Sequence, residues 1–544
     1  MITTLIPLLS TPVADDLDTA NFPARARANF LEVNPILSAI NQMIVELNAE
    51  SDSINSQSSG AAAARTAAEA AAAAAAVSAS AAAATSTAAN WVSGTTYAIG
   101  NVRRSLIDGM PYRRLTAGAG TIDPRDDATN WALDYLQYDT SLPTIRPSLL
   151  LDFANSGVVD PRITVTRAST ATYWDANGVL KTAAANTLRI THAPVTGERL
   201  GALGEGLATN RALYSGDISN ANWAKVRVNV VSGVVAPDGI GVMARIAPTS
   251  ENQNHYVAMV AAGVGAGSKL VVSVFARSAG MGRFKLLTQS GVVWPEAIFD
   301  VNSGVVAYQN GCIADIELVA PGTYRCWAAV DSTDANATLH IMPVANDNSQ
   351  VFVGDGVLGV DVWGAQMETG VSTPTSYIPT TSAAASRSAD DIVISGASFT
   401  SFYKQGEGTF VQDLIFLPTD GGSTGNTGKD LFSYETAGTN SRLTAFFFQK
   451  KIGLYLGAAG GAQLLNFATA DCLSVGLNRV CISVKAGSAV IAVNGKTTAI
   501  VTGGPAVPAA DRVKFITAPN RPIPRHKYYP FAVSTSEAIA LSRI

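Results

Sequence analysis

Between Asn29 and Ala89 the chain holds one glycine, Gly60, and one proline, Pro35. A stretch with so few breakers is constrained toward helix. Val33, Ile36, Ile40, Met43, Leu47 and Ile54 follow one another at alternating three- and four-residue steps, with a final step of seven. That spacing is a heptad seam with polar residues on the other faces. Carried past Gln57, the same count lands on Ala61, Ala64, Ala68, Ala71, Ala75, Ser78 and Ala82. The period persists while the knobs shrink from Ile and Leu to Ala. Residues 61–89 contain 20 alanines, and alanine is the best intrinsic helix former. Two readings stand: a parallel homo-oligomeric stalk whose small side chains allow close approach, or an Ala/Ser linker that is only partly helical. A continuous helix from Ile36 to Ala89 would measure on the order of 80 Å, with Gly60 as its break or hinge.

At 544 residues the chain is too long for one core, and roughly 100–200 residues per domain gives about three or four units. The net charge is −4 with 15% charged residues and no long basic run, which argues against nucleic acid. The glycines, with many Thr, Ser, Val and Asn, favour short strands and turns. Cys312, Cys326, Cys472 and Cys481 have no C-x-x-C spacing, and histidine numbers four, so neither zinc nor another cofactor is expected. So few cysteines fit folding in a reducing cytoplasm. Residues 1–20 lack the basic start and apolar run of a secretory signal. Arg65 and Glu69 interrupt the alanine tract, so no membrane insertion is expected.

Residues 1–28, with Pro7, Pro12 and Pro23 among acidic and then basic residues, read either as a docking arm or as a disordered tail. Residues 29–89 are the stalk. Residues 90–138 gather Trp91, Tyr97, Tyr112 and Trp131 among glycines, with an Asp108-Gly109 hairpin signal. This pattern resembles small chitin-binding-type carbohydrate-binding modules. The resemblance implies that Trp91, Tyr112 and Trp131 stack on sugar rings; the competing reading is that they fill a mini-core.

Residues 139–210 read as a linker and β segment. They carry Leu149-Leu-Leu-Asp-Phe and then Arg167-Ala-Ser-Thr-Ala-Thr-Tyr173-Trp-Asp-Ala-Asn-Gly178. This second phrase resembles a segment found in tail-fibre and tail-spike proteins of tailed phages. Period-two runs follow at Lys269–Arg277, Tyr324–Val330 and Val360–Gly364, so residues 211–390 are expected to form a jelly roll similar to family four/nine-type carbohydrate-binding modules. The phrases Thr375-Ser-Tyr-Ile-Pro379 and Arg387-Ser-Ala-Asp390 close it. Residues 391–544 carry strands such as Gly408–Phe416 and Asn478–Val484 and a Tyr528-Tyr529-Pro530 ending. They resemble a concanavalin-like (laminin-G-type) lectin sandwich.

Catalysis finds little to stand on. Glu296, Asp300 and Glu368 are candidate glycosidase carboxylates, and His192, His255, His340 and His526 candidate bases. The Gly421-Gly-Ser423-Thr-Gly425 match lacks the strand-turn-helix setting of a nucleophile elbow. Asn346-Asp347-Asn348 and Gly354-Asp355-Gly356 offer oxygens for their own turns or, alternatively, for Ca²⁺. The expected fold class is mainly β, with an N-terminal α-helical coiled-coil stalk, a small β module and two β-sandwich (jelly-roll) domains. The resemblances imply a non-enzymatic, homotrimeric tail fibre, assembled in the host cytoplasm. Its stalk residues are Ile36, Ile40, Met43, Leu47, Ile54, Ala61, Ala64 and Ala68. Its expected partners are baseplate or tail-tip proteins at one end and a host surface glycan or pilus at the other. A tail-spike glycan hydrolase and a structural spacer of the tail are the alternatives.

Overall fold

The computed structural model describes residues 35–51, 89–107, 109–133, 147–156, 159–417, 429–504, 506–515 and 521–544, with the single positions Ala24 and Arg27. Ile54, Ala61, Ala64, Ala68 and residues 421–425 lie outside the described residues, as does nearly all of the arm. The chain divides into two units, Met1–Thr85 and Ser86–Ile544.

In the first unit residues 35–51 are helical. Gln42 Nε2 donates to Glu46 Oε1 one turn on at 3.5 Å. Ile36, Ile40 and Met43 are half-buried, while Leu37, Ile44, Val45 and Leu47 are exposed.

The second unit is mainly β. Its first module pairs Thr95–Tyr97 with Gly118–Gly120, and Val102–Arg104 with Pro111–Arg114 and Trp131–Leu133. The last module is a sandwich of a seven-stranded and a six-stranded antiparallel sheet. It is discontinuous in sequence. Leu149–Asp152 adds a strand beside Arg525–Tyr529, and Thr164–Thr166 pairs with Asp391–Ser395, Thr166 lying opposite Asp391. Leu149, Leu151 and Phe153 join the same buried core as Phe410, Phe432 and Tyr528. The apolar run that opens with Leu149 is thus an edge strand of the terminal sandwich rather than connector.

Everything from Arg167 to Asp390 is inserted between two neighbouring strands. Within the insertion, Ala208–Asn210 pairs with Ala385–Arg387, so the ends of the middle domain are also clasped. That domain stacks an eight-stranded on a six-stranded sheet, the chain crossing repeatedly between them. Alternation explains the layers. In Lys269–Ala279, Leu270, Val272, Val274 and Ala276 face the core shared with Phe284, Phe299 and Leu339.

Where the insertion leaves and returns, five charged side chains meet. Arg167 Nη1 and Arg189 Nη2 reach the two oxygens of Asp390 at 2.7 and 2.6 Å. Arg189 Nη1 and Arg387 Nη1 share Glu205 Oε2 at 2.7 and 2.9 Å. All five side chains are at most 2% exposed. Surplus guanidinium protons go to main-chain carbonyls of Ser169, Thr172 and Thr187. The remaining Glu205 oxygen accepts from Ser376 N at 2.8 Å. Burial alone would raise the Glu205 carboxyl, but Arg387, Arg189 and the Ser376 hydrogen bonds outweigh it and hold it at about 2.

A second buried polar chain crosses the terminal sandwich. His526 Nδ1 faces Gln412 Oε1 at 3.0 Å and Nε2 faces the Tyr434 hydroxyl at 3.1 Å. A neutral ring protonated on Nδ1 satisfies both contacts. Burial pushes His526 down to about 3 from its ordinary 6.5.

Two outcomes are expected. Arg189→Met removes the guanidinium bridging both carboxylates and should cost about 3–5 kcal/mol in denaturant unfolding at neutral pH. His526 and Glu205 both have depressed folded-state values, so the unfolded chain binds more protons and stability falls with pH. The loss should begin as pH falls below 6.5 through His526, with a contribution from His340, lowered by burial and then by Lys285. It should steepen below 4.5 as Glu205 joins. Each group contributes a slope of at most about 1.4 kcal/mol per pH unit. Urea midpoints across this range should show a shallower upper limb in His526→Gln.

Candidate functional site

The aromatic residues singled out in the first module are placed inside it. Trp91 and Trp131 are 7% and 1% exposed and form its core with Tyr97, with half-buried Tyr112 packed against them. Tyr97 meets Trp131 edge-on at 5.1 Å, and the Arg114 guanidinium lies 4.9 Å from the Trp131 ring. Trp91 and Trp131 thus lie in a packing cluster with Tyr97, and Tyr112 packs half-buried against it. A module this small has few other large side chains to bury.

The candidate carboxylates serve structural ends. Glu296 pairs with Lys285 at 2.8 Å and Asp300 with Arg283 at 3.0 Å. Glu368 is buried and accepts from Thr375 N and Gln366 Nε2. Among the histidines, His192 Nδ1 faces the Trp174 carbonyl, and both His255 nitrogens face carbonyls of Arg227 and Phe352. His340 lies between the rings of Tyr256 and Trp294. Asp347 accepts from Ser349 N, and Asp355 from Val357 N and Leu358 N, as turn-forming residues do. No group of three or more metal-ligating side chains occurs among the described residues.

A different surface gathers binding chemistry: the outer face of the seven-stranded sheet in the terminal sandwich. In Arg442–Phe448, Leu443, Ala445 and Phe447 point into the core. Alternation sends Arg442, Thr444, Phe446 and Phe448 to the other side. In Lys451–Gly457, Ile452, Leu454 and Leu456 point inward, leaving Gly453, Tyr455 and Gly457 outside. Together with Asp430, Asn466 and Ala468, these outward side chains line a shallow depression of about 380 Å³.

Its floor depends on two glycines. Phe446 lies opposite Gly453 in the register, and a Cβ on Gly453 would stand 2.1 Å from Phe446 Cζ. The ring lies flat on the sheet only because that carbon is missing. Tyr455 leans in the same way over Gly457. The Arg442 guanidinium stacks 4.9 Å from the Tyr455 ring centre. Burial raises the Asp430 carboxyl, Arg442 partly offsets that, and Glu435 adds to it. The face therefore offers flat apolar rings, a planar cation, a carboxylate and an amide within one depression. Rings stack on the C–H face of a sugar, while Arg442, Asn466 and Asp430 can exchange hydrogen bonds with its hydroxyls. The sequence reading missed these residues, because the run Phe446-Phe-Phe448 conceals the alternation around it. The signal was the polar spacing of Arg442 and Thr444 beside the glycines of the next strand.

No family model and no curated protein matches the chain. Among solved structures, it is similar to the binding domain of botulinum neurotoxin serotype D at 14% identity and a TM-score of 0.23, covering 28% of this chain and 40% of that one. The serotype G binding domain gives 10% and 0.22, covering 28% and 39%. The binding domain of Paraclostridial Mosquitocidal Protein 1 gives 12% and 0.22, covering 28% and 43%. The chain spans less than half the length of these neighbours, and so distant a likeness carries no argument about what it binds.

Gly453→Ala should destabilise by about 1–3 kcal/mol through overpacking against Phe446. In a Phe446→Ala background the same change should be nearly neutral. A double-mutant cycle on urea midpoints measures the coupling; independence of the two changes would mean that the ring does not rest on Gly453.

Proposed function

We propose that the protein is a receptor-binding tail fibre of a tailed phage. The N-terminal helix gathers three copies and the arm before it docks to tail proteins. The terminal sandwich engages a host-surface glycan through the outer face around Tyr455. One observation carries the binding half of this reading: Arg442, Tyr455, Phe446, Asp430 and Asn466 share one depression on the sheet face. The seam residue Leu47, exposed on the described helix, and the heptad spacing of Ile36, Ile40 and Met43 before it support the assembly half. Three weakly binding faces on one particle gain attachment strength by avidity.

The full chain should behave in solution as a particle of three times the 56.3 kDa chain mass. Added free, it should block phage adsorption. Tyr455→Ala should lower its blocking potency by about tenfold or more while leaving the melting temperature nearly unchanged, as expected for a stacking aromatic at a binding centre. Hosts lacking O-antigen, capsule or pili identify the receptor. Unchanged adsorption at saturating free protein would sink the reading. Release of reducing ends from host glycan would replace it with the tail-spike hydrolase.

A further inference from the structure

A cavity of about 320 Å³ lies where the connector strands, the middle sandwich and the terminal sandwich meet, with Glu205 of the ionic cluster in its lining. Its volume is at the low end of the roughly 300–1,000 Å³ typical of small-molecule pockets. Tyr173 and Trp174 form one wall, and Trp327 and Arg325 another. Thr373 stands in the lining, 7% exposed, and its hydroxyl has no hydrogen-bond partner. Arg325 Nε also lacks one, although its Nη2 donates to Ser273 Oγ at 3.2 Å. Interiors rarely leave a buried hydroxyl unpaired.

The charges in the lining exclude several ligand classes. Glu205, Asp315 and Glu317 disfavour an anion, and Arg325 and Arg521 disfavour a cation. An aliphatic ligand would leave the Thr373 hydroxyl unsatisfied and strip water from both signs of charge. What fits is small, neutral, flat on one side and rich in hydroxyls. We infer that this cavity is a second sugar site, taking one pyranose ring of a neutral saccharide against the aromatic wall, with one of its hydroxyls hydrogen-bonded to Thr373 Oγ1. The site shares no residue with the outer face around Tyr455 and stands or falls independently of it.

The test uses the full chain and free glucose, galactose, N-acetylglucosamine and rhamnose, each titrated to tens of millimolar. Trp174 and Trp327 are in the walls, so binding is read as a saturable change in tryptophan emission, with the melting temperature as a second readout. Thr373→Val keeps the shape and removes the unpaired hydroxyl. The unliganded variant should melt no lower than wild type, and its affinity should fall about tenfold. Trp327→Phe should reduce the emission change, which assigns the response to this cavity. The inference is overturned if none of the four sugars gives a saturable emission change, or if Thr373→Val binds as wild type does.

Discussion

Three guanidiniums and two carboxylates, sealed from water, hold together segments separated by as many as 223 residues. Taking five charges out of water is costly, and only near-complete pairing makes it tolerable. That requirement fixes geometry. Asp390 must lie between Arg167 and Arg189, and Glu205 between Arg189 and Arg387, or a charge is stranded. Asp390 also accepts from Glu205 N at 2.8 Å, so the acidic residues are held to each other through the main chain. Such a cluster acts more as a registration device than as a source of net stability. It specifies how the inserted domain leaves the terminal sandwich and how it returns.

The nesting of the fold follows from that device. The pairing of Thr164–Thr166 with Asp391–Ser395 and of Ala208–Asn210 with Ala385–Arg387 brackets the cluster on both sides. A domain carried on two neighbouring antiparallel strands has both ends fixed, unlike one tethered by a single linker. The terminal sandwich depends in turn on residues that precede the insertion. His526, with its buried hydrogen-bond chain, lies opposite Leu151 in the register, so a chain cut at residue 390 would expose the strand carrying His526. The sandwich is therefore a unit in space that no single contiguous stretch of sequence contains.

This separation explains what could be read from the sequence and what could not. The alternating runs at Lys269–Arg277 and Tyr324–Val330 were legible as strands because period two is a local property. The phrases around Arg167, Thr375 and Arg387 were legible as distinctive, yet not as partners, because composition carries no information about which carboxylate meets which guanidinium 200 residues away. Trp91 and Trp131 were ambiguous because aromatic residues serve equally as core and as sugar platform; burial decides, and burial depends on the whole module. The face around Tyr455 was hidden for another reason. Its inward Phe447 and outward Phe446 and Phe448 are chemically alike, so hydrophobic periodicity fades along it.

In the proposed reading, that face would be a weak binding surface made without loops. Its side chains project from paired strands whose inward neighbours are clamped in a fully buried core. Phe446 is fixed over Gly453 and Tyr455 over Gly457, and Arg442 rests on Tyr455. A ligand meeting such groups orders few side chains on binding, and that entropy is one of the main costs of association. Preorganisation of this kind lowers the cost of each contact but does not enlarge the shallow area offered. A single copy would then bind a sugar quickly and release it quickly. In the proposed fibre, firm attachment would have to come from the number of faces presented together, which makes the helical end of the chain as much a determinant of affinity as the face itself.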